Sequence, residues 1–402
     1  MRLRADPWTV PVLMFHSVGL EDSSWVWSYL SESVDSFEQK LERLARRGFH
    51  SVFWKDVVAH MKGELRLPPN AIMLTFDDGY LDNWVYAFPL LRKYGFVATI
   101  FVTPEFIDPS EAPRMTMDDV KAGHCETHDL EAAGFLNWAE MRAMERSGLV
   151  DIQSHAQTHT WHFTGPRVVD VHRPRQPQPY PWLFWNARPE RKPYYLNENQ
   201  ETFRPWGYPV LEHAKALLAR RFIPDEQATA RLPEVVASRG GADFFAGADW
   251  WSQLQSFITD AFPDGALPGT YETVGERRER VRGELFESKQ CLEEGLNKTV
   301  DFICWPGGGN DSEVRELAQE VGYKGWTLGS MEHRDQRNRP GADPLVLRRI
   351  GTVNAIMVRG RRMAPADADY QMQRIESHRG SAWARMQLRG RQLRAVVQRG
   401  LA

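Results

Sequence analysis

Two acidic side chains stand next to each other at the end of an apolar run, in the stretch "IMLTFDDGYLDN" from Ile72 to Asn83. The run predicts a buried strand, and packing alone poorly explains a buried strand that ends in Asp77 and Asp78. An N-cap together with a turn residue would explain only one of the two. Two carboxylates in one confined site repel each other unless one of them binds a cation. A metal ion on one carboxylate removes this repulsion and leaves the other as a base.

Two histidines four residues apart follow another predicted strand, in "DIQSHAQTH". If a helical turn begins where the strand ends, His155 and His159 point the same way, which is the spacing of helical zinc sites. With strand-terminal Asp78 they form a set of two imidazoles and one carboxylate with open positions, as a hydrolytic metal requires. The pattern predicts one divalent metal. Zinc is the default, and Co, Ni or Fe suits the same ligands.

Other metal-binding or nucleophilic residue types are expected to be inert. "GHCETHD" repeats the same spacing with His124 and His128, but it lies in a polar loop and ends no strand. We therefore expect solvated histidines there. Cys304 has no clear partner base and is expected to be a buried structural thiol. Together with Cys125 and Cys291 it makes an odd number without paired spacing, which argues against a disulfide framework.

The elements that must position these residues are short buried strands alternating with helical patterns. This alternation favours parallel βαβ units, arranged as a barrel or as a doubly wound sheet. One helix is predicted to follow Asp35 as its N-cap and to end at Gly48. In a parallel barrel the carboxyl ends of the strands meet on one face, so residues that end strands are expected to share one site. The predicted strands cover residues 10–15, 71–76, 97–102, 150–154 and 300–305.

Length and composition set outer limits on the function. The 402 residues carry a formal net charge of −3, so no overall field favours nucleic acid. No run approaches the roughly 18 to 20 apolar residues of a spanning helix. The short apolar run near the N-terminus is broken by Pro11 and is too short for a signal segment. A cytoplasmic protein is expected.

Two regions depart from the strand–helix alternation and suggest boundaries at 1–164, 165–269, 270–358 and 359–402. Residues 165–269 are too long for a simple connection and are predicted to form an insertion with structure of its own. Its aromatic residues either form a small separate core or line a cleft and stack on sugar rings. They include Tyr180, Trp182, Phe184, Trp185, Tyr194, Tyr195 and Trp206, with Trp250 and Trp251 further on.

The last region, 359–402, is a basic tail with 10 Arg. Its residues Trp383, Met386, Leu393 and Val397 fall near one helical face, with arginines among and around them. Such basic amphipathic helices lie on anionic bilayers, so we predict peripheral contact with the inner face of the membrane. The alternative is a C-terminal helix that simply packs on the barrel.

The stretches "TFDDGYLDN", "SHAQTH" and "WPGGG" resemble the first three motifs of the polysaccharide deacetylases, the NodB-homology or family 4 carbohydrate esterases. The resemblance covers about residues 8–163 and 275–355. It implies a distorted (β/α)7-type barrel with a long insertion and a C-terminal helical tail. It also implies that Asp77 is the catalytic base and that Asp78, His155 and His159 bind the metal. The substrate-binding residues it suggests are Tyr80, Trp305, Pro306 and Gly307.

The third motif departs from the usual R-x-P-[FY] and looks more like that of the poly-N-acetylglucosamine deacetylases. In that subgroup the catalytic histidine comes from an N-terminal "LMYH" segment, which "LMFH" matches at His16. We therefore expect His16 to be the general acid that protonates the leaving amine, lying across the metal from Asp77. The arginine that would orient Asp77 is either Arg348 or Arg349, and Arg349 is the candidate.

The resemblance implies a metal-dependent hydrolase that removes an N-acyl group, most simply N-acetyl, from an aminosugar of a glycan or lipid-linked intermediate. A deformylase or a cyclic-amide hydrolase of the same fold is an alternative. Non-haem iron oxygenases use the same donor types, but they do not need a second adjacent Asp. An inactive glycan-binding module is the third alternative, and the intact Asp-His-His set argues against it.

Overall fold

The computed structural model describes residues 6–20, 25–328, 337–352, 354–359 and 361–400. Its strands, in chain order, are β1 (Val12–Phe15), β2 (Ser17–Val18), β3 (Ser31–Glu32), β4 (His50–Ser51), β5 (Ala71–Phe76), β6 (Ala98–Val102), β7 (Val150–Ser154), β8 (Trp161–Val171), β9 (Pro209–Lys215), β10 (Phe222–Pro224), β11 (Gly269–Tyr271), β12 (Phe302–Ile303), β13 (Gly325–Leu328), β14 (Val346–Arg348), β15 (Ile350–Gly351), β16 (Ala355–Val358) and β17 (Arg361–Pro365).

The α-helices lie between these strands and after them. In chain order they are α1 (Val34–Arg46), α2 (Trp54–Lys62), α3 (Phe88–Tyr94), α4 (Met117–Lys121), α5 (Trp138–Arg146), α6 (Trp182–Ala187), α7 (Glu226–Ser238), α8 (Trp250–Ala261), α9 (Val274–Leu296), α10 (Ser312–Glu320), α11 (Ala368–His378) and α12 (Ala382–Gly400).

Eight parallel strands follow one another around the main sheet in the order β14-β13-β12-β7-β6-β5-β1-β15. The two ends of this order, β14 and β15, are separated in the chain only by Arg349. The short segment that contains both β14 and β15 therefore joins the two edges of the sheet. Counted as one segment with the other six strands, it gives seven chain segments around a barrel. The predicted distorted (β/α)7-type barrel is confirmed, and Arg349 lies where the barrel closes.

Burial explains why these runs form barrel strands and why the flanking helices lie outside them. All six residues of β5 are buried, as a parallel strand covered on both faces requires. Helix α1 turns Phe37, Leu41 and Leu44 toward the core. Its N-cap is Ser33, whose side chain accepts a hydrogen bond from the Ser36 N–H at 3.3 Å. The predicted cap, Asp35, lies instead in the first turn, where a negative charge favours the helix dipole.

The predicted insertion contains an antiparallel hairpin, β8–β9, and the smaller pair β10–β11. Helices α7 and α8 cover the hairpin and bury Leu232, Val236 and Leu254 in a core distinct from that of the barrel. Strand β8 begins at Trp161, two residues after His159, and runs out of the barrel into this unit. The insertion is therefore attached directly to the predicted site. The domain boundaries given above remain predictions.

After the barrel closes, the chain forms the hairpin β16–β17 and the helices α11 and α12. Buried residues Ile356, Tyr370 and Ala395 hold these elements together. Among the described residues, none of the helices is both long enough and apolar enough to span a bilayer.

Candidate active site

A cleft of about 560 Å³ opens at the carboxyl ends of the barrel strands, where the sequence predicted one shared site. Pro306 is buried and is not among the lining residues, because it starts a tight turn whose next residue, Gly307, faces the cleft. The predicted site residues that line the cleft are His16, Asp77, Asp78, Tyr80, His155, His159, Trp305, Gly307 and Arg349.

Asp78 is aimed by a turn at the end of β5. Asp78 has φ 76° and Gly79 has φ 75°, so both adopt the left-handed conformation, which aspartate tolerates better than most residues. A Cβ on residue 79 would lie 3.1 Å from a Val102 methyl group, so glycine is also the residue that fits there. The turn separates the directions of the two neighbouring carboxylates.

His155 follows β7, and its ring is fixed by a backbone contact. Its Nδ1 lies 2.9 Å from the carbonyl oxygen of Cys304, an acceptor, so Nδ1 carries the proton. Nε2 is then the ring atom that faces the site, and it lies 3.1 Å from Asp78 Oδ1. His159 Nε2 lies 3.2 Å from the same oxygen.

The expected helical turn between the two histidines is wrong. Residues 155–160 are irregular, and both Ala156 (φ 59°) and His159 (φ 46°) are left-handed. The two left-handed residues fold the loop back, so the rings meet with centroids 5.0 Å apart without a helix.

The three side chains fit a divalent metal. Asp78 Oδ1 is buried and has no geometrically defined hydrogen bond among the described residues, although the Nε2 atoms of both histidines converge on it. Burial raises the pKa of Asp78, but the two histidines offset this and hold its pKa well below the usual range. Zn–ligand bonds of about 2.0–2.2 Å place neighbouring tetrahedral ligand atoms roughly 3.3–3.6 Å apart. The observed separations of 3.1 and 3.2 Å are slightly shorter than that spacing.

Asp77 is held by the residue that closes the barrel. The Arg349 guanidinium donates from Nη1 to Asp77 Oδ1 at 2.6 Å and from Nη2 to Oδ2 at 2.9 Å. Burial raises the pKa of Asp77, but Arg349 and then His16 outweigh it and leave the pKa below its usual value. Arg348 points elsewhere and donates to the Val346 carbonyl at 3.3 Å. Of the two arginines considered, the structure brings Arg349 to Asp77.

His16 follows β1, with its Nε2 only 3.8 Å from Asp77 Oδ2. The expected position across the site from Asp77 is therefore wrong, because β1 and β5 are paired neighbours and their ends lie side by side. Burial lowers the pKa of His16 and outweighs the attraction of Asp77. His16 is thus a neutral imidazole at neutral pH.

Cys304 is buried as expected, but it is not isolated from the site. Its Sγ lies 3.0 Å from Arg349 Nη2 and 3.6 Å from Asp77 Oδ2. This contact was not predicted. The sequence did contain a clue to it: Cys304 stands two residues before Pro306, the position at which the usual R-x-P motif has its arginine. Asp77, His155 and Cys304 also form a group with metal-ligand types, but the Arg349 charge beside them disfavours a cation there.

The histidines of "GHCETHD" are solvated, as predicted. The His124 side chain is 66% exposed beside Asp119, and that of His128 is 82% exposed beside Asp129. A second cavity of about 590 Å³ lies in the insertion and is lined by none of the predicted site residues. The chemistry therefore belongs to the cleft at the barrel mouth.

Aromatic rings from three parts of the chain form one wall of the cleft. Trp27 stacks against Trp161 at 6.1 Å between ring centroids and lies 5.6 Å from Trp185. Trp185 and Tyr195 are the members of the predicted aromatic set that line the cleft. Others pack inside the insertion or under the cleft wall, including Trp182, Phe184, Trp206, Trp250 and Trp251. The aromatic residues of the insertion are therefore divided between the two predicted roles: some line the cleft and others form a core.

Comparison with known proteins agrees with this site. The family model for polysaccharide deacetylase matches residues 65–207, which include Asp77, Asp78, His155 and His159. This part of the chain is therefore similar to the polysaccharide deacetylases. The chain is 32% identical over 96 residues to YxkH of Bacillus subtilis strain 168, whose name places it among the polysaccharide deacetylases. That match covers 24% of this chain and 32% of the relative.

A second relative is the poly-beta-1,6-N-acetyl-D-glucosamine N-deacetylase of Escherichia coli K12. It is 26% identical over 162 residues, which is 40% of this chain and 22% of the relative. The chain thus spans a third or less of the length of these curated relatives.

Two solved structures share the fold of this chain. The de-N-acetylase from Aggregatibacter actinomycetemcomitans has a TM-score of 0.50 and 17% identity, covering 85% of this chain and 94% of that chain. The BpsB deacetylase domain from Bordetella bronchiseptica has a TM-score of 0.50 and 20% identity, covering 86% and 97%. At these identities the likeness concerns the fold.

Proposed function

We propose that this protein is a metal-dependent hydrolase that removes an N-acyl group, most simply N-acetyl, from an aminosugar in a glycan. The main observation behind the proposal is that a set of metal ligands and a separate carboxylate base lie side by side at the barrel mouth. Two imidazole nitrogens converge on Asp78 Oδ1, and next to them a second carboxylate, Asp77, is held by Arg349. The match of residues 65–207 to the polysaccharide deacetylase family and the aromatic wall, with flat faces suited to sugar rings, support the same assignment.

Asp78, His155 and His159 would hold the metal, with zinc as the default choice for this donor set. When bound there, a divalent metal polarises the amide carbonyl and lowers the pKa of a water toward about 7. Asp77 takes the proton of the attacking water. We place the proton on Oδ2, because this oxygen faces His16 Nε2 at 3.8 Å. Arg349 keeps the carboxylate in one orientation during this step.

The leaving amine must be protonated, and His16 is the group placed to do this. Because burial lowers its pKa, His16 does not carry the required proton beforehand at neutral pH. The proton that Asp77 removes from water therefore passes to His16 Nε2 and from there to the amine nitrogen. Water supplies both the hydroxyl group of the released acid and the proton of the released amine.

The test is incubation of the metal-loaded protein with aminosugar oligomers that carry N-acetyl, N-formyl or longer N-acyl groups, reading the released acid by mass. Release of acetate is the expected result. Formate alone would indicate a deformylase. A protein that binds the oligomers without releasing acid would be the glycan-binding module.

We further propose that the glycan is lipid-linked and that helix α12 brings the protein to an anionic membrane surface. Between Ala382 and Gly400 there are five Arg and no acidic residue. One face of α12 packs on the protein through Ala384 and Ala395, which are buried. The stripe formed by Trp383, Met386, Leu393 and Val397 has helical spacing, and each of these side chains is more than half exposed.

Charge decides between the partners that this stripe could meet. Two copies of α12 would bring arginines together without acidic residues to pair with them, which disfavours self-association. An apolar stripe among arginines suits an anionic bilayer, where the side chains enter the interface and the arginines meet lipid phosphates. The cytoplasmic location remains a prediction.

Co-sedimentation with phosphatidylserine-rich vesicles tests the membrane contact. The double substitution Leu393→Asp with Val397→Asp should abolish binding without unfolding the protein, since both side chains are exposed. Ile223→Asp, at an exposed apolar residue of the insertion, is the matched control and should bind as the wild type does. Equal binding by the double variant would contradict the proposal. A wild-type dimer that the double variant abolishes would show that the stripe meets a second copy.

A further inference from the structure

Cys304 touches both halves of the proposed active site. It directly follows β12, and its backbone N–H donates to the Ser154 carbonyl at 2.9 Å, which places it beside the end of β7. Its own carbonyl accepts the His155 Nδ1 hydrogen bond at 2.9 Å. Its Sγ lies beside Asp77 and Arg349, within 4.8 Å of a His155 ring nitrogen.

A thiol can both accept and donate a hydrogen bond, and the Cys304 Sγ lies next to one donor and one acceptor. A thiol is a weak donor and a weak acceptor. Arg349 Nη2, a donor, lies 3.0 Å from Sγ, and Asp77 Oδ2, an acceptor, lies 3.6 Å from it. Because Arg349 Nη2 also donates to Asp77 Oδ2 at 2.9 Å, the three groups form a closed ring of contacts.

Packing accounts for the burial of Cys304 but not for this arrangement. Cys304 belongs to an apolar cluster with Trp54, Met73 and Phe101, which explains its burial but not the approach of Sγ to two charged groups. An apolar side chain there would leave one Arg349 N–H facing a group that cannot accept a hydrogen bond. A buried charged donor without an acceptor is costly.

We propose that Cys304 is a positioning residue that fixes the orientation of the Asp77–Arg349 pair for the deacylation step. The inference rests on the proposed function, because Asp77 is the base of that reaction. Cys304 acts through the pair and touches no substrate atom. The thiol keeps Arg349 Nη2 in the plane in which both guanidinium nitrogens reach the carboxylate, so Oδ2 stays directed at the cleft.

Kinetics of Cys304→Ala and Cys304→Ser, in the full-length metal-loaded protein, test the role. Cys304→Ala should lower kcat about 10-fold with KM and metal content unchanged, because one hydrogen bond to a charged group is lost. Cys304→Ser keeps a donor and an acceptor and should retain kcat within about threefold. Cys291→Ala, a half-buried cysteine on α9 that does not line the cleft, is the control and should match the wild type. Wild-type kcat in Cys304→Ala, or an equal loss in both Cys304 variants, would overturn the proposal.

A second measurement does not depend on the reaction and separates failure of this inference from failure of the proposed function. Urea unfolding is compared for Cys304→Ala, Asp77→Asn and the double variant. If Sγ bonds to the Asp77–Arg349 pair, the shift of the unfolding midpoint in the double variant should be smaller than the sum of the single shifts. Additive shifts would overturn the role of Cys304 even if the wild type proves to be a deacetylase.

Discussion

At the residue scale, the environment of each ionisable group limits the part it can play. Asp77 and Asp78 are neighbours in the chain, yet one faces a guanidinium and the other faces two imidazoles. The first carboxylate already has a fixed cation and has no need of a metal. Among the described residues the second has no guanidinium beside it, and two imidazole nitrogens lie near its Oδ1, so it suits a metal. This difference separates the base from the ligand.

His16 gives a pH prediction at this scale. Burial lowers its pKa below the ordinary value of 6.5, so His16 is neutral in the resting enzyme at pH 7. If it relays the proton taken by Asp77, kcat/KM should hold steady from about pH 6.5 to 8 and fall at lower pH. A histidine that had to start protonated would instead lose activity as the pH rises through about 6.5. The pH profile of kcat/KM distinguishes the two, and a decline through neutral pH would contradict the relay.

His16→Ala completes this test. The variant should keep its full metal content and lose roughly 100-fold or more in amide cleavage. An ester substrate should lose less, since its leaving alkoxide depends less on an acid than an amine does. Equal activity of the variant and the wild type on the amide would remove His16 from the mechanism.

At the element scale, the segment that carries His16 is held against the loop that carries the two aspartates. Asp82 is fully buried and accepts hydrogen bonds from Ser17 Oγ and, at 2.9 Å, from the Val18 N–H. Asn83 Nδ2 donates to the His16 carbonyl at 2.9 Å and to Asp82 Oδ1 at 2.8 Å. The "LDN" of the first motif therefore places the residue that follows β1.

Asp82→Ala should release this segment. We expect a loss of stability of about 1–3 kcal/mol, because buried donors lose their acceptor, and a lower kcat with unchanged metal content, because His16 loses its position. Asp56→Ala is the control, since Asp56 accepts a capping bond from the Phe53 N–H at 3.2 Å, outside the cleft. It should lower stability while leaving kcat unchanged. A wild-type kcat in Asp82→Ala would show that the segment does not position His16.

The insertion gives a second prediction for an element, concerning pH and stability. His172, at the end of β8, is buried against Trp206 with ring centroids 4.4 Å apart. Burial lowers the pKa of His172 to about 4. The unfolded chain takes up this proton near pH 6.5, so stability is lost as the pH falls from 6.5 toward 4, by up to about 3 kcal/mol. Urea midpoints at several pH values measure this loss.

His172→Phe should reduce that pH dependence, since the ring remains stacked on Trp206 but no longer titrates. His128→Gln, which changes an exposed histidine, should leave the dependence as in the wild type. Equal pH dependence in His172→Phe and the wild type would show that His172 does not cause it.

Sequence pattern and spacing predicted which residues meet at the site, but not the conformation of the segments that carry them. Asp78, His155 and His159 could be predicted to meet because each closely follows a strand of one parallel sheet. Their loop could not be predicted, since a spacing of four fits both a helical turn and a chain with two left-handed residues. Arg349 could not be separated from Arg348 by sequence, because the strand breaks at that residue and the alternation of faces is lost there.

At the scale of the whole molecule, the barrel supplies the reacting groups and the added segments supply the surroundings. The alternation of strands and helices predicted parallel βαβ units, and the family resemblance was needed to choose the barrel over a doubly wound sheet. The aromatic wall was not predictable as a whole, because Trp27, Trp161 and Trp185 come from a loop, a hairpin and a helix that only the tertiary structure brings together. The aromatic residues inside the insertion could not be divided by composition, since core and cleft positions use the same residue types.

The most direct measurement of the central claim is the rate of acetate release from an N-acetyl-aminosugar oligomer, with metal content determined on the same samples. We predict that the wild type releases acetate, that chelation stops the reaction and that a divalent metal restores it. Asp77→Asn should bind the same amount of metal and release acetate at least about 100-fold more slowly. Asp78→Asn should lose the metal. Release of acetate at the wild-type rate by metal-free protein, or by Asp77→Asn, would contradict the account.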